Sequence, residues 1–308
     1  MKKKKKKYTR RRRIIVLRIK IAVFLAMVMG GILFLHYHGF LTGKWNKAVP
    51  AAEDSVDGTG EGEDIPKGSD IPDENKEPTT VPQEDKEEET KIKETSIYTF
   101  MQGPKAWNSK TPWSGEWCEE VLAGSKFSVF GCGLCDLANI YSTLSPYECS
   151  PLDMFHYAKE ISDYNPGGGV GAIDWPYMQK TLETTGFTCE LGNKDETYEQ
   201  FCSKIGDSLT AIVLVSSLDD NTYWKETTGH YVNIWSYNEE TQEVFLADSG
   251  DPEHNRMWIP LKYVYDALKT SGTYQYLLVQ GYEESQNTWK HSGIKENWTI
   301  PDYYIPKQ

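Results

Sequence analysis

The stretch Gly131-Cys132-Gly133-Leu134-Cys135-Asp136-Leu137-Ala138-Asn139-Ile140-Tyr141-Ser142-Thr143-Leu144 decides how the rest of the chain is read. From Leu134 onward, apolar residues recur at 134, 137, 138, 141 and 144, the spacing of one buried helical face. Ser145-Pro146 ends the run, because the residue before a proline is driven out of the helical region. Two glycines flank Cys132, where a tight turn must enter the helix. Cys132 is therefore expected at a helix N-terminus. Free N–H groups and the macrodipole there favour a thiolate, and they lower a cysteine pKa from about 8.5 to roughly 3.5–7.5. Such a residue is a candidate nucleophile; the plainer alternative is a small buried cysteine at a helix start.

Toward the N-terminus the composition changes twice. The 308 residues carry a formal net charge of −12, but the signs are segregated. Lys2–Lys7 and Arg10–Arg13 form a basic segment within residues 1–20, directly before the uncharged run Ile21–Leu35. Extended to Leu41, that run reaches the roughly 20 residues needed to span a bilayer core. Arg18 and Lys20 suit the inner interface, and Tyr37 and Trp45 the outer one. The expectation is a single-pass signal anchor over residues 21–41, N-terminus in the cytoplasm and the remainder outside. A cleaved signal peptide fits less well, because the small residues near Ala51 lie far from the apolar run. Residues 42–95 read as a linker, acidic and rich in Pro, Gly, Ser and Thr from residue 50, too poor in apolar residues to offset the entropy of ordering.

The domain is expected over residues 96–308, which hold nearly all of the ten Trp and nineteen Tyr. Ile97–Gln102 reads as a short strand. Ser150-Pro151-Leu152-Asp153 opens a helix to about Ile161, with a capping residue, Pro at the first position and an acid in the first turn. Asn165–Gly171 is a glycine-rich surface loop without the Lys-Ser/Thr of a phosphate loop. Asp174–Thr185 and Thr197–Ile205 read as helices, and Phe187–Leu191 between them as a strand. Leu209–Val215 is a continuous apolar run suited to a central strand. His230–Ser236 and Glu243–Asp248 form a hairpin around Tyr237–Gln242, followed by a helix over Leu261–Lys269 and a strand over Tyr274–Gln280. The expected class is α+β, with the Cys132 helix packed on an antiparallel sheet.

A cysteine nucleophile needs a base. Of the six histidines, His230 stands apart because it opens a strong strand straight after Thr227-Thr228-Gly229. A hairpin centred on Glu239 would set His230 directly opposite Asp248, on one face of the sheet. A carboxylate there accepts the imidazole N–H and fixes its tautomer. Asp251 is the alternative orienter and requires a hairpin centred on Glu240-Thr241.

These residues carry a resemblance. Gly131-Cys132-Gly133 opening a helix, Gly229-His230-Tyr231-Val232 opening a strand and Ala247-Asp248 ending the next resemble the papain-like cysteine peptidases related to bacteriocin-leader peptidases. Members also carry a Gln upstream of the Cys with a Trp a few residues on, matched by Gln102 and Trp107. The resemblance covers roughly residues 97–282. It implies a papain-like fold, peptide hydrolysis without a cofactor, and a Cys132–His230–Asp248 set with Gln102 as side-chain donor to the oxyanion. The chain departs from the pattern at Leu134-Cys135 and Ser249, where members often have Pro.

Two other readings compete. Cys132-Gly133-Leu134-Cys135 is also the C-x-x-C of a thiol–disulfide oxidoreductase. An aromatic-rich domain could equally be a non-catalytic module for peptide or cell-wall material. Zinc-ligand spacing and a basic patch for nucleic acid are both lacking in the sequence of the outer domain. The expected partners are a peptide or protein substrate, which includes cell-wall peptide, and the membrane through residues 21–41. External protease on intact cells should release the domain and spare residues 1–20; full protection of the chain would reverse this topology.

Overall fold

The computed structural model describes residues 92–166 and 171–307. The predicted basic segment, the apolar span 21–41, most of the linker and the centre of the glycine-rich loop lie outside these residues. Among the described residues no helix is long and apolar enough to cross a membrane.

The chain begins with α1 (Pro104–Asn108), a small hairpin of β1 (Val121–Leu122) and β2 (Ser125–Lys126), and the single turn α2 (Phe127–Phe130). Then come α3 (Cys132–Leu144), α4 (Pro151–Ile161), α5 (Trp175–Thr184), β3 (Thr185–Gly192) and α6 (Tyr198–Gly206). The remainder is β4 (Thr210–Val215), β5 (His230–Asn238), β6 (Glu243–Ala247), β7 (Met257–Pro260), α7 (Leu261–Ala267) and β8 (Tyr276–Asn287). Six strands make one antiparallel sheet in the order β3-β8-β4-β5-β6-β7. The α+β class and the central place of the 210–215 run agree with the sequence.

Local signals account for the helix ends. Ser150 Oγ accepts from Asp153 N at 3.0 Å, and Asp153 Oδ2 accepts from Ser150 N at 3.0 Å, a reciprocal cap. Thr197 and Gln200 repeat it on α6. α3 ends at Ser145, whose backbone is extended ahead of Pro146.

The sheet is covered on both faces. Alternation along β4 and β5 sends Ile212, Tyr231 and Trp235 toward a core shared with α3, α4 and α5. Ala211, Val213, Val232 and Ile234 face a second core with Phe201 and Ile205 of α6 and Val264 of α7. A large apolar side chain buried in either layer contributes about 1.5–3 kcal/mol of transfer free energy.

Residues 97–102 depart from expectation. They are extended but join no sheet. Their N–H groups are satisfied instead by α3 and by loops: Tyr98 N donates to Thr143 Oγ1 at 3.0 Å and Phe100 N to Asn139 Oδ1 at 2.8 Å. Met101 N donates to Trp113 O and Gln102 N to Ser249 O, both at 2.9 Å. Two extended residues advance about 6.7 Å and four helical residues about 6 Å, so the segment keeps step along the helix. Tyr98 lies beside Thr143 and Phe100 beside Asn139. Gln102, one step further, is tied to Ser249 and to Ser128 of α2.

The hairpin of β5 and β6 also differs from expectation. It closes through Glu239–Gln242, with Asn238 paired to Glu243, and its register then shifts between Trp235 and Asn238. Ser236 lies there with φ 51°, and an extra β5 residue makes a bulge. The pairing continues as Trp235↔Phe245, Ile234↔Leu246 and Asn233↔Ala247, where the ladder ends. Projected onward, Val232 faces Asp248 and His230 faces Gly250. Direct opposition of His230 and Asp248 is therefore not what forms; they are diagonal neighbours on one face. Without the bulge Asp248 would oppose Asn233 and point to the other face.

The C-terminal tail, whose role the sequence leaves open, wraps this layer. Trp113 N donates to Thr299 O at 2.9 Å, Thr299 N to Ser114 O at 2.7 Å, and Trp289 stacks on Tyr157 with centroids 4.3 Å apart. Asn139 is the central tie, because its Nδ2 also donates to Asn233 Oδ1 of β5 at 3.1 Å. Asn139→Ala should cost about 1–3 kcal/mol for each buried group it leaves unpaired, read by urea unfolding. An unchanged midpoint would show that the tie is dispensable.

Candidate active site

Cys132 is the first residue of α3 and is 7% exposed. Gly133 lets this helix end sit close to its neighbours: a Cβ there would come within 2.2 Å of Met178 Cε and 2.8 Å of Ile173 Cγ2. His230 opens β5, and its Nε2 lies 2.7 Å from Asp248 Oδ1. Its imidazole also interacts with the Cys132 thiol and favours the thiolate there. With Nε2 committed to Asp248, Nδ1 is the nitrogen left for the thiol.

Asp248 is buried and fully engaged. Oδ1 also accepts from the backbone of Gly250 at 2.9 Å and of Asp251 at 3.2 Å, and Oδ2 accepts from Trp224 Nε1 at 3.0 Å. Asp251 sits apart from His230, its Oδ2 3.6 Å from His254 Nδ1. Asp248, of the two alternatives, is the carboxylate against the imidazole.

The electrostatics of the three groups interlock. Burial alone would raise Asp248, but the His230 charge and hydrogen bond, then Trp224 and the Gly250 N–H, hold it below the usual carboxylate range. Burial alone would lower His230; the charge and hydrogen bond of Asp248, then Cys132, raise it well above an ordinary imidazole. Burial alone would raise Cys132, but the hydrogen bond and charge of His230, with the Tyr231 and Gly133 backbone, bring the thiol down. All three shifts act in favour of a thiolate–imidazolium pair beside a carboxylate.

Gln102 is fixed at both ends of its amide. Nε2 donates to Ser128 O at 3.1 Å and Oε1 accepts from Ser249 Oγ at 3.0 Å, leaving one N–H of the amide for a further acceptor. Gln102, His230, Asp248 and Trp224 line one open cavity of about 390 Å³. Cys132 is not in its wall and connects to it through His230.

Two residues at the site go beyond the sequence reading. Trp224, in the loop before β5, gave no periodic signal. Asp136, one turn beyond Cys132 on α3, lies off the apolar face read from the sequence and gave none either. It is fully buried and neither carboxyl oxygen has a hydrogen-bond partner. Burial, then the negative charge of Cys132, pushes its pKa well above the usual carboxylate range, which favours the neutral acid. Cys135 is likewise fully buried, and burial, then Cys118, raises its thiol well above the usual range. All six cysteines are free thiols. Among the described residues no group of three or more His, Cys, Asp or Glu could hold a metal ion.

Residues 172–275 match the family model described as Phytochelatin synthase. Over that stretch the chain is similar to a papain-like cysteine enzyme family of peptidase and transpeptidase type, and the mixed helix and antiparallel sheet architecture is compatible with it. The similarity supports a cysteine enzyme without choosing hydrolysis over acyl transfer. The matched segment contains His230 and Asp248 and begins after Cys132. No curated protein matches the chain.

The thiolate–imidazolium pair exists above the lowered Cys132 pKa and below the raised His230 pKa. Alkylation of Cys132 by iodoacetamide, followed by peptide mass spectrometry, should therefore show a midpoint below the roughly 8.5 of a free thiol. His230→Ala should move that midpoint up, since burial is then opposed only by the Tyr231 and Gly133 backbone. A wild-type midpoint at or above that of a free thiol would contradict the pairing.

Proposed function

We propose that this domain is a cysteine peptidase in which Cys132 is the nucleophile, His230 the acid–base, Asp248 its orienter and Gln102 a donor to the oxyanion. The observation that carries the reading is the chain of contacts from Asp248 Oδ1 to His230 Nε2, 2.7 Å apart, and from His230 to a thiol at the start of a helix. The Cys132 thiolate attacks the peptide carbonyl carbon, and the carbonyl oxygen takes the negative charge. In this reading the Cys132 N–H, at the helix start, and the free Gln102 N–H receive that charge. The C–N bond breaks as His230 gives its proton to the leaving amine, and a thioester remains on Cys132. Water, giving a proton to His230, attacks the thioester and releases the acid and the thiolate.

Acyl transfer differs only in the last step, where an amine replaces water. The similarity of residues 172–275 to Phytochelatin synthase favours keeping that outcome as a second reading. The motif likeness to bacteriocin-leader-processing peptidases supports hydrolysis of a peptide. The basic segment before residues 21–41 supports a membrane-anchored protein with this domain outside.

The test is turnover of a peptide library by the full chain. Cys132→Ala should leave essentially no activity, and Gln102→Ala should lower turnover about a hundred- to a thousandfold. Cys135→Ser should keep peptide cleavage, whereas a dithiol oxidoreductase would lose its activity. Cleavage that survives Cys132→Ala would overturn the assignment. Added amine that captures the acyl group in preference to water would assign transfer instead.

A further inference from the structure

A second cavity, of about 340 Å³, adjoins the first across Gln102 and Gly250. Its walls are Gly103–Ala106 on one side and Gly250 with Pro252 on the other, over Met101, which is 1% exposed. Among the described residues that line it, only Lys105 is ionisable. The volume lies at the small end of the roughly 300–1,000 Å³ of ligand pockets, room for one side chain rather than a whole ligand.

Its position relative to the reacting atoms follows from Gly250 and Gln102. A Cβ at Gly250 would lie 3.0 Å from His230 Nε2 and Cε1, so this wall backs onto the imidazole. His230 protonates the leaving amine, which places the leaving group on its side of Cys132. Gly133, packed against Met178, Ile173 and Tyr231, contributes nothing to the cavity.

We propose that this cavity is a specificity subsite that takes one apolar side chain from the leaving-group portion of a peptide, within two residues of the scissile bond. The proposal rests on the peptidase reading above. Carbon surface from Met101, Pro104, Ala106 and Pro252 binds an aliphatic or aromatic group by burial alone. A cationic side chain meets Lys105 and no anion to offset it.

The test uses the full chain and peptides that differ only at the first or second leaving-group residue: Leu, Phe, Gly, Asp and Lys. At one of the two positions, Leu or Phe should exceed Gly in kcat/KM by about tenfold to a hundredfold, with Lys the poorest. Gly103→Phe should collapse the Leu-to-Gly ratio toward one, because the space above Gly103 is open and its φ of −99° suits any residue. Pro252→Asp approaches from the opposite wall and should lower the same ratio. A ratio near one in the wild type at both positions, or one that neither variant changes, overturns the subsite while the peptidase reading stands. Failure of that reading is distinct: no peptide is turned over at all, and the subsite falls with it.

Discussion

The 2.7 Å hydrogen bond between His230 Nε2 and Asp248 Oδ1 is the contact on which the rest of the site depends. It commits one imidazole nitrogen and leaves the other for Cys132. It also gives the imidazolium a buried counter-charge, so the thiol can ionise in a place where burial would otherwise forbid it. The contact exists because a bulge at Ser236 changes the parity of β6 against β5. Trp224 and the Gly250 N–H then hold the carboxylate once it leaves the ladder.

A second carboxyl lies close by and takes the opposite state. Asp136 and Asp248 are the same residue type, both buried and both near His230. Asp248 is met by four donors, which favour its charged form; Asp136 is met by none, and burial favours its protonated form. Environment alone separates them. A charged Asp136 would stand one helical turn from the Cys132 thiolate and oppose it, so its neutrality belongs to the same electrostatic arrangement.

How much was legible in the sequence depended on how local the cause is. The Cys132 helix, the Ser150 cap and the central strand rest on spacing within a few residues, and each lies where it was expected. The placement of Gln102 rests on Asn139 and Thr143 accepting backbone N–H groups from an extended segment, which strand propensity cannot foresee. The bulge rests on a serine at positive φ, where no glycine advertises it. Choosing between Asp248 and Asp251 needed that register. Trp224 and the neutrality of Asp136 depend on what surrounds them in three dimensions, and the anchor and linker fall outside the described residues.

The contacts around His230 favour an imidazolium between a thiolate and a carboxylate. Nitrogen NMR of the His230 ring across pH tests it most directly. Both ring nitrogens should stay protonated through neutral pH, with the ring titrating well above the ordinary histidine value of about 6.5. A neutral ring at pH 7, titrating at or below that value, would contradict it.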